Sequence, residues 1–381
     1  MTFAKAVSSS IDRWFTQPEP NAAGRMGLFR IFYGLFYLWH LSNQYAVSLS
    51  NLPSEHFIHP VLLIALLPSA PSVWFCQVLE CGLVAALVLL VLGLRIRLMT
   101  ALVLVLGGIL EAYYIATDGE HSTILIAFYI PFFMGLNNDW GHTYALDTLI
   151  KQRSLKPSVA PSESHWRYFL SARSVLVILS LLFLSSALFK FTFGGVWLTY
   201  PDLMANLVLQ KNIAAALQEL PLNPIAPWIA QTPWVYHSLR FSTLLCEGLF
   251  FLSLLGRQLR LFFVSLALLF HAVNALFLTV TFTPVLIVYA LFIDWQAAVN
   301  RLQLKFKGQP AFSTSWLVGS AIAIAIGLGL LWSLYPQSRT VFNFNGLLNW
   351  RSIWYPVVPF ALIGLGLSIK PLSRPPRRQL P

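Results

Sequence analysis

Apolar runs of about 17–25 residues recur from one end of the chain to the other, separated by short polar or basic stretches. A helix of that length crosses a hydrocarbon core roughly 30 Å thick. Only 10% of the residues are charged, whereas soluble domains carry about 25%. Backbone groups in lipid have to be hydrogen-bonded within the protein, so we interpret these runs as transmembrane helices.

The sequence therefore predicts an all-α polytopic membrane protein with about ten transmembrane helices and both termini in the cytoplasm. The expected spans are approximately 27–47, 72–93, 98–116, 122–137, 167–190, 237–255, 260–281, 283–298, 316–335 and 354–370. The expected domains are a cytoplasmic or interfacial segment 1–26, a main transmembrane domain 27–298, two additional transmembrane helices in 299–370 and a basic cytoplasmic tail 371–381.

The formal net charge of +11 is dispersed between the predicted helices, which favours topology signals and contacts with anionic lipid over a nucleic-acid surface. Most basic residues fall on one side, and only Lys211, Arg339 and Arg351 fall in the predicted outside loops. We expect a multi-pass integral membrane protein, in the cytoplasmic (inner) membrane if the source is bacterial. The expected partner is the lipid bilayer, and neither a nucleic-acid partner nor a metal site is indicated.

Several ionisable or polar residues fall inside predicted spans, where each costs about 2.5–3.5 kcal/mol to insert if it is charged. Lys190 ends the fifth span, Glu247 lies near the middle of the sixth, and His271 and Asn274 share one face of the seventh. His121 begins the fourth span. The predicted topology places this group in the outer half of the membrane, which indicates a polar cavity that opens outward.

Other polar residues have simpler interpretations. Glu80 and Glu111 are expected to pair between helices, and His40 is interpreted as structural. Arg30 and Arg173 lie near predicted cytoplasmic ends, where they are expected to extend towards the headgroups. For Lys190 the same simple alternative is contact with the outer headgroups, and for His271 it is an interhelical hydrogen bond.

Three stretches resemble the transmembrane part of vitamin K-dependent gamma-carboxylases and the wider family called HTTM, for horizontally transferred transmembrane domain. They are RMGLFRIFYGLFYLWHL, GEHSTILIAFYIPFFMGLNNDWGHTYALD and LFHAVNALFLTVTFTPVLIVYALFIDW. Between them, LFKFTFGGVWL is similar to the family segment in which a lysine at a helix end precedes a tryptophan. The resemblance covers roughly residues 10–298 and makes 27–298 an HTTM-like domain.

The resemblance implies a quinol-linked enzyme, with gamma-carboxylase-like lyase or oxidase chemistry, that modifies a peptide or small substrate at the outer membrane face. Its cofactors would be a reduced quinone with CO2 and O2. Lys190 would be the base that deprotonates the quinol, and His121 would support the carbanion and CO2 step. The expected cofactor-binding residues are His271, Asn274, Trp197 and Glu247.

A second interpretation is a non-catalytic membrane protein that binds a lipid or peptide in the same outward-facing cavity, with a role in maturation, export or immunity. Lys190→Arg would be tolerated in that case, because the charge is kept. A transporter is disfavoured, since the sequence shows neither an inverted repeat nor a pair of interrupted helices.

Overall fold

The computed structural model describes residues 12–19, 22–42, 49–57, 71–118, 123–137, 139–148, 150, 167–192, 196–217, 222–277, 282–293 and 350–369. Helices dominate these ranges, and no β-strand occurs in them. Within these ranges, five helices are long and apolar enough to cross a membrane: Val73–Leu92, Ile96–Thr117, Tyr168–Thr192, Pro233–Leu255 and Arg257–Leu276. The prediction of an all-α class is thus confirmed for the described part of the chain, whereas the ten-span count and the side of the termini stay predictions.

The chain divides into two compact units. The first comprises Met1–Val175 and Pro284–Asn343, and the second comprises Leu176–Thr283 and Phe344–Pro381. The predicted boundary at 298/299 and the predicted ninth span, 316–335, lie outside the described residues.

The first unit contains helices α1 to α4 and α11, and α5 starts in it. They are α1 (Ala22–Ser42), α2 (Val73–Leu92), α3 (Ile96–Asp118), α4 (Ile130–Asn137), α5 (Arg167–Thr192) and α11 (Val285–Ala290). A π-helical turn, Leu125–Tyr129, leads into α4. In the predicted eighth span, 283–298, the described part holds only the six-residue α11.

The second unit holds the end of α5 and helices α6 (Val196–Thr199), α7 (Leu203–Leu217), α8 (Ala226–Gln231), α9 (Pro233–Leu249), α10 (Arg257–Phe277) and α12 (Trp350–Ile369). A 3-10 segment, Phe250–Leu255, continues α9. Helices α10 and α12 pack closely, because Gly364 of α12 has no side chain to separate it from Ser265 of α10. Small residues at such contacts are the usual way in which membrane helices approach each other.

Local chemistry fixes both ends of α2. The Ser72 hydroxyl accepts a hydrogen bond of 3.2 Å from the Phe75 amide at the amino end. At the carboxyl end Gly93 adopts φ 76°, and the amides of Gly93 and Leu94 donate to the carbonyls of Leu90 and Leu89. This pair of bonds is a Schellman motif, which favours glycine because a Cβ opposes positive φ.

We expect Gly93→Ala to lower the free energy of unfolding by more than about 1 kcal/mol, since the positive φ is strained with any Cβ. The added atom would also lie 2.6 Å from the Ala145 Cα. Gly108→Ala is the matched control, because its Cβ would meet no atom within 4 Å in a helix interior. Thermal unfolding in detergent should show a lower midpoint for Gly93→Ala only, and equal midpoints would contradict the steric argument.

Two arginines expected to extend towards headgroups are buried instead. Arg30 is 0% exposed and donates to the carbonyls of Trp140 (2.8 Å), Thr143 (3.3 Å) and Tyr144. Arg173 is 2% exposed and donates to the carbonyls of residues 15 and 17, both at 2.7 Å. The expectation was wrong for both, because backbone carbonyls within the protein accept hydrogen bonds from each guanidinium.

Candidate functional site

The candidate site lies where the last turns of α5 meet α9 in the second unit. The two helices are antiparallel: successively later residues of α9 and its 3-10 continuation contact successively earlier residues of α5. Lys190 pairs with Glu247, the Ala187 Cβ lies 3.8 Å from the position that a Cβ would take at Gly248, and the rings of Phe183 and Phe250 stack with centroids 4.5 Å apart. Small residues thus face each other across the two helices beside the charged pair.

The Lys190 ammonium makes three hydrogen bonds where α5 meets α9. Its Nζ lies 2.5 Å from Oε1 of Glu247 and also contacts Oε2. It donates a third hydrogen bond of 2.9 Å to the Ser186 hydroxyl, which itself donates to Glu247 Oε2 at 3.1 Å. Because an ammonium has three donors, each proton of the Lys190 ammonium has an acceptor.

The pair is largely shielded from solvent: the exposed fraction is 15% for the Lys190 side chain and 10% for that of Glu247. Desolvation of two charges is costly, and their attraction compensates only when the geometry is good and the remaining polar atoms are bonded. The Ser186 hydroxyl meets that second condition. Sequence reasoning missed Ser186, although its position four residues before Lys190 puts both on one helical face.

Trp197 joins the pair from the following helix, α6. Its ring centroid lies 5.0 Å from the Lys190 Nζ, which is a cation–π distance. Trp197 packs against a small core, here called the α7–α8 cluster, that includes Met204, Val208, Ile229 and Tyr236. The described residues 196–217 and 222–236, around the predicted outside loop of Lys211, therefore form helices with their own core, and this core holds Trp197 beside Lys190.

The structure places His271 and Asn274 on α10, both buried, with exposed fractions of 5% and 7%. The His271 ring meets Phe183 of α5, with centroids 5.9 Å apart, and Phe282, at 4.9 Å. Phe183 lies seven residues from Lys190, or about 10 Å along the helix. His271 thus borders the same α5–α9 contact, next to its aromatic end and away from the charged pair.

His121 lies outside the described residues, so its expected role stays a prediction. In the described ranges there is no group of three or more histidine, cysteine, aspartate or glutamate side chains that could hold a metal. The described site is therefore composed of an ion pair, a hydroxyl and aromatic rings. Such an arrangement can exchange a proton within the pair.

Comparisons of the chain with family models, with curated proteins and with solved structures give no match. The resemblance to the HTTM family consequently depends on the quoted motifs alone.

Proposed function

We propose that this chain is a multi-pass membrane enzyme of the HTTM, gamma-carboxylase-like type that uses a reduced quinone to modify a peptide or small substrate at the outer membrane face. The observation that supports this best is the Lys190–Glu247 pair with Ser186 and Trp197. The lysine that the family resemblance marks as the base has a carboxylate in direct contact with it. Ionisable groups at membrane depth are functional candidates by default.

Glu247 supplies what Lys190 needs to act as a base. An ammonium has no lone pair, so Lys190 must first lose one proton. Transfer of that proton from Nζ to a Glu247 oxygen gives a neutral amine and a neutral carboxylic acid, and the total charge of the pair stays zero. Because burial penalises separate charges, this transfer costs less here than release of the proton to water. The Ser186 hydroxyl is hydrogen-bonded to both partners and keeps the Lys190 ammonium and the Glu247 carboxylate next to each other.

The side chains around the pair suit a flat ligand that carries a hydroxyl group. Trp197 supplies an aromatic ring beside the pair, and the amine of Lys190 can accept the hydroxyl proton. A reduced quinone would supply that acidic hydroxyl, and its oxidation by O2 would supply the strong base that the family chemistry with CO2 requires. In this proposal His271 and Asn274 line the remainder of the site, and His121 supports the carbanion step.

One observation favours the second candidate, a non-catalytic protein that binds a lipid or peptide. All three protons of the Lys190 ammonium have acceptors within the unit, as in an ion pair that only fastens α5 to α9. In that case the charge of Lys190 matters and its ability to lose a proton does not.

Lys190→Arg separates the two candidates, because arginine keeps the charge but does not become neutral in proteins. In mild detergent we expect the wild-type protein to retain a quinone, identified by mass spectrometry, and to oxidise added reduced quinone in the presence of O2. The Lys190→Arg variant should retain the quinone and lose at least about 100-fold in oxidation rate, a typical contribution of a general base. Lys211→Arg, an exposed position on α7, is the matched control.

A different result would favour the second candidate, the non-catalytic protein that binds a lipid or peptide. Phospholipid alone in the wild-type sample, or equal oxidation rates for the wild-type protein and Lys190→Arg, would overturn the assignment of Lys190 as a base.

A further inference from the structure

A second buried polar group lies in the first unit, between α1 and α3. Glu111 of α3 is 1% exposed, and its Oε1 lies 3.6 Å from the Nε2 of His40 on α1. That separation is too long for a direct hydrogen bond. In the part of the chain that the structure describes, neither carboxylate oxygen of Glu111 accepts a hydrogen bond.

The neighbouring residues concentrate polar groups at the same point. Tyr37 is 0% exposed, and its hydroxyl has no hydrogen-bond partner among the described residues. Tyr37 and His40 are three residues apart on one face of α1, and Gly107 and Glu111 are four apart on one face of α3. The Tyr37 oxygen lies 2.7 Å from where a Cβ of residue 107 would be. Because residue 107 is a glycine, the Tyr37 phenol can contact α3 there, one helical turn before Glu111 in the sequence.

The helical segment next to His40 and Glu111, Leu125–Tyr129, is irregular. The Tyr33 hydroxyl donates a 2.7 Å hydrogen bond to the carbonyl of Ile126, inside the π-helical turn Leu125–Tyr129. Single π-helical turns occur often at functional sites, because they displace side chains and free backbone groups. The ring of Tyr33 also contacts that of Tyr37 edge-on, with centroids 6.0 Å apart.

We propose that His40 and Glu111, bridged by water, form a proton-binding and proton-transfer site in the first unit, independent of the function proposed for Lys190. A buried carboxylate that lacks donors is stable only with a proton, a cation or a polar ligand. A histidine nitrogen at 3.6 Å and a phenol on the same side offer the partners that one bridging water uses.

The transfer conserves charge and moves a single proton. In one state His40 is an imidazolium and Glu111 a carboxylate, and in the other both are neutral. The proton leaves His40 Nε2, the water passes it on, and it reaches a Glu111 oxygen. His40 keeps a 12% exposed side chain, so it is the member of the pair through which protons enter and leave.

Other titratable groups surround the site, and the experiment has to distinguish their protonation signals from those of His40 and Glu111. Tyr33 and Tyr37 face Glu111 from α1, while Tyr113 and Tyr114 lie on α3 itself. The buried groups of α2, which packs against α3, are Cys76 and Glu80, and the π-helical turn contributes Tyr129. Glu80 is the useful control, since it is a second buried carboxyl in these helices, with 2% exposure.

The test is infrared difference spectroscopy of the full chain in nanodiscs between acidic and neutral pH. Wild-type protein should show the stretching band of a buried carboxylic acid, shifted when all glutamates carry carbon-13. Glu111→Gln should remove the band. Glu80→Gln should leave a band whose midpoint pH still changes when His40 is replaced. Because Glu111→Gln could impair folding, His40→Gln is the second variant, and it should shift the midpoint of the wild-type band by at least half a pH unit, roughly a threefold change in proton affinity.

The other outcomes reject the site. An unchanged band in folded Glu111→Gln would show that Glu111 does not change its protonation state. A wild-type spectrum without a carboxylic acid band, or a midpoint that His40→Gln does not move, would show that the two residues share no proton.

Discussion

Replacing Glu247 by glutamine is expected to lower the free energy of unfolding by about 3 kcal/mol, because the buried Lys190 ammonium then has no counter-charge. The pair keeps exposed fractions of 15% and 10%, which places the loss at the lower end of the usual range for a broken buried pair. The measurement is unfolding by SDS titration in mixed micelles, followed by circular dichroism. Glu55→Gln, at an exposed residue of a 3-10 turn, is the control and should change stability by less than about 0.5 kcal/mol.

The double variant Lys190→Met/Glu247→Leu should recover stability to within about 1 kcal/mol of wild type, since apolar residues of similar volume replace a buried ion pair without an unpaired charge. If Lys190 is the proposed base, the same double variant has no quinol oxidation despite its stability. A double variant as unstable as Glu247→Gln would show that packing, and not charge pairing, accounts for the loss.

Replacing Arg30 by methionine is expected to cost about 4 kcal/mol, because three loop carbonyls lose the donors of one buried guanidinium. The residues involved span 140–144, so the freed loop should become a preferred site of chymotryptic cleavage after Tyr144, measured by mass spectrometry. Arg30→Lys should recover only part of the stability, since an ammonium lacks the planar fork of a guanidinium.

Arg97→Met is the control for Arg30→Met, since Arg97 is exposed, and it should stay within about 0.5 kcal/mol of wild type. Equal losses for the two arginine variants would mean that the contacts of Arg30 with the loop contribute nothing specific.

Helix positions could be predicted well where local signals mark them. The second predicted span, 72–93, differs by one residue at each end from α2, Val73–Leu92. Ser72 and Gly93 mark these ends by hydrogen bonds and dihedral angles that depend only on adjacent residues. The sixth span, predicted as 237–255, begins earlier, at Pro233, because proline is well suited to the first turn of a helix.

The candidate site could be predicted only as separate residues. Lys190, Glu247 and Trp197 were each singled out from the sequence, yet the contact between Lys190 and Glu247 joins positions 57 residues apart. Nothing in the spacing of these residues predicts that contact. His40 and Glu111 show the same limit: both were interpreted as structural, and their closeness follows from how α1 and α3 face each other.

By itself the sequence determined that the chain forms apolar helices long enough to cross a membrane, and which ionisable side chains those helices carry. Only the tertiary structure decided that Lys190 meets Glu247, that His40 meets Glu111 and that Arg30 is enclosed by loop carbonyls. The physical reason is the range of the interactions. Hydrophobicity and helical period act over a few turns of one segment, whereas the partner of a buried charge is set by the packing of helices far apart in the chain.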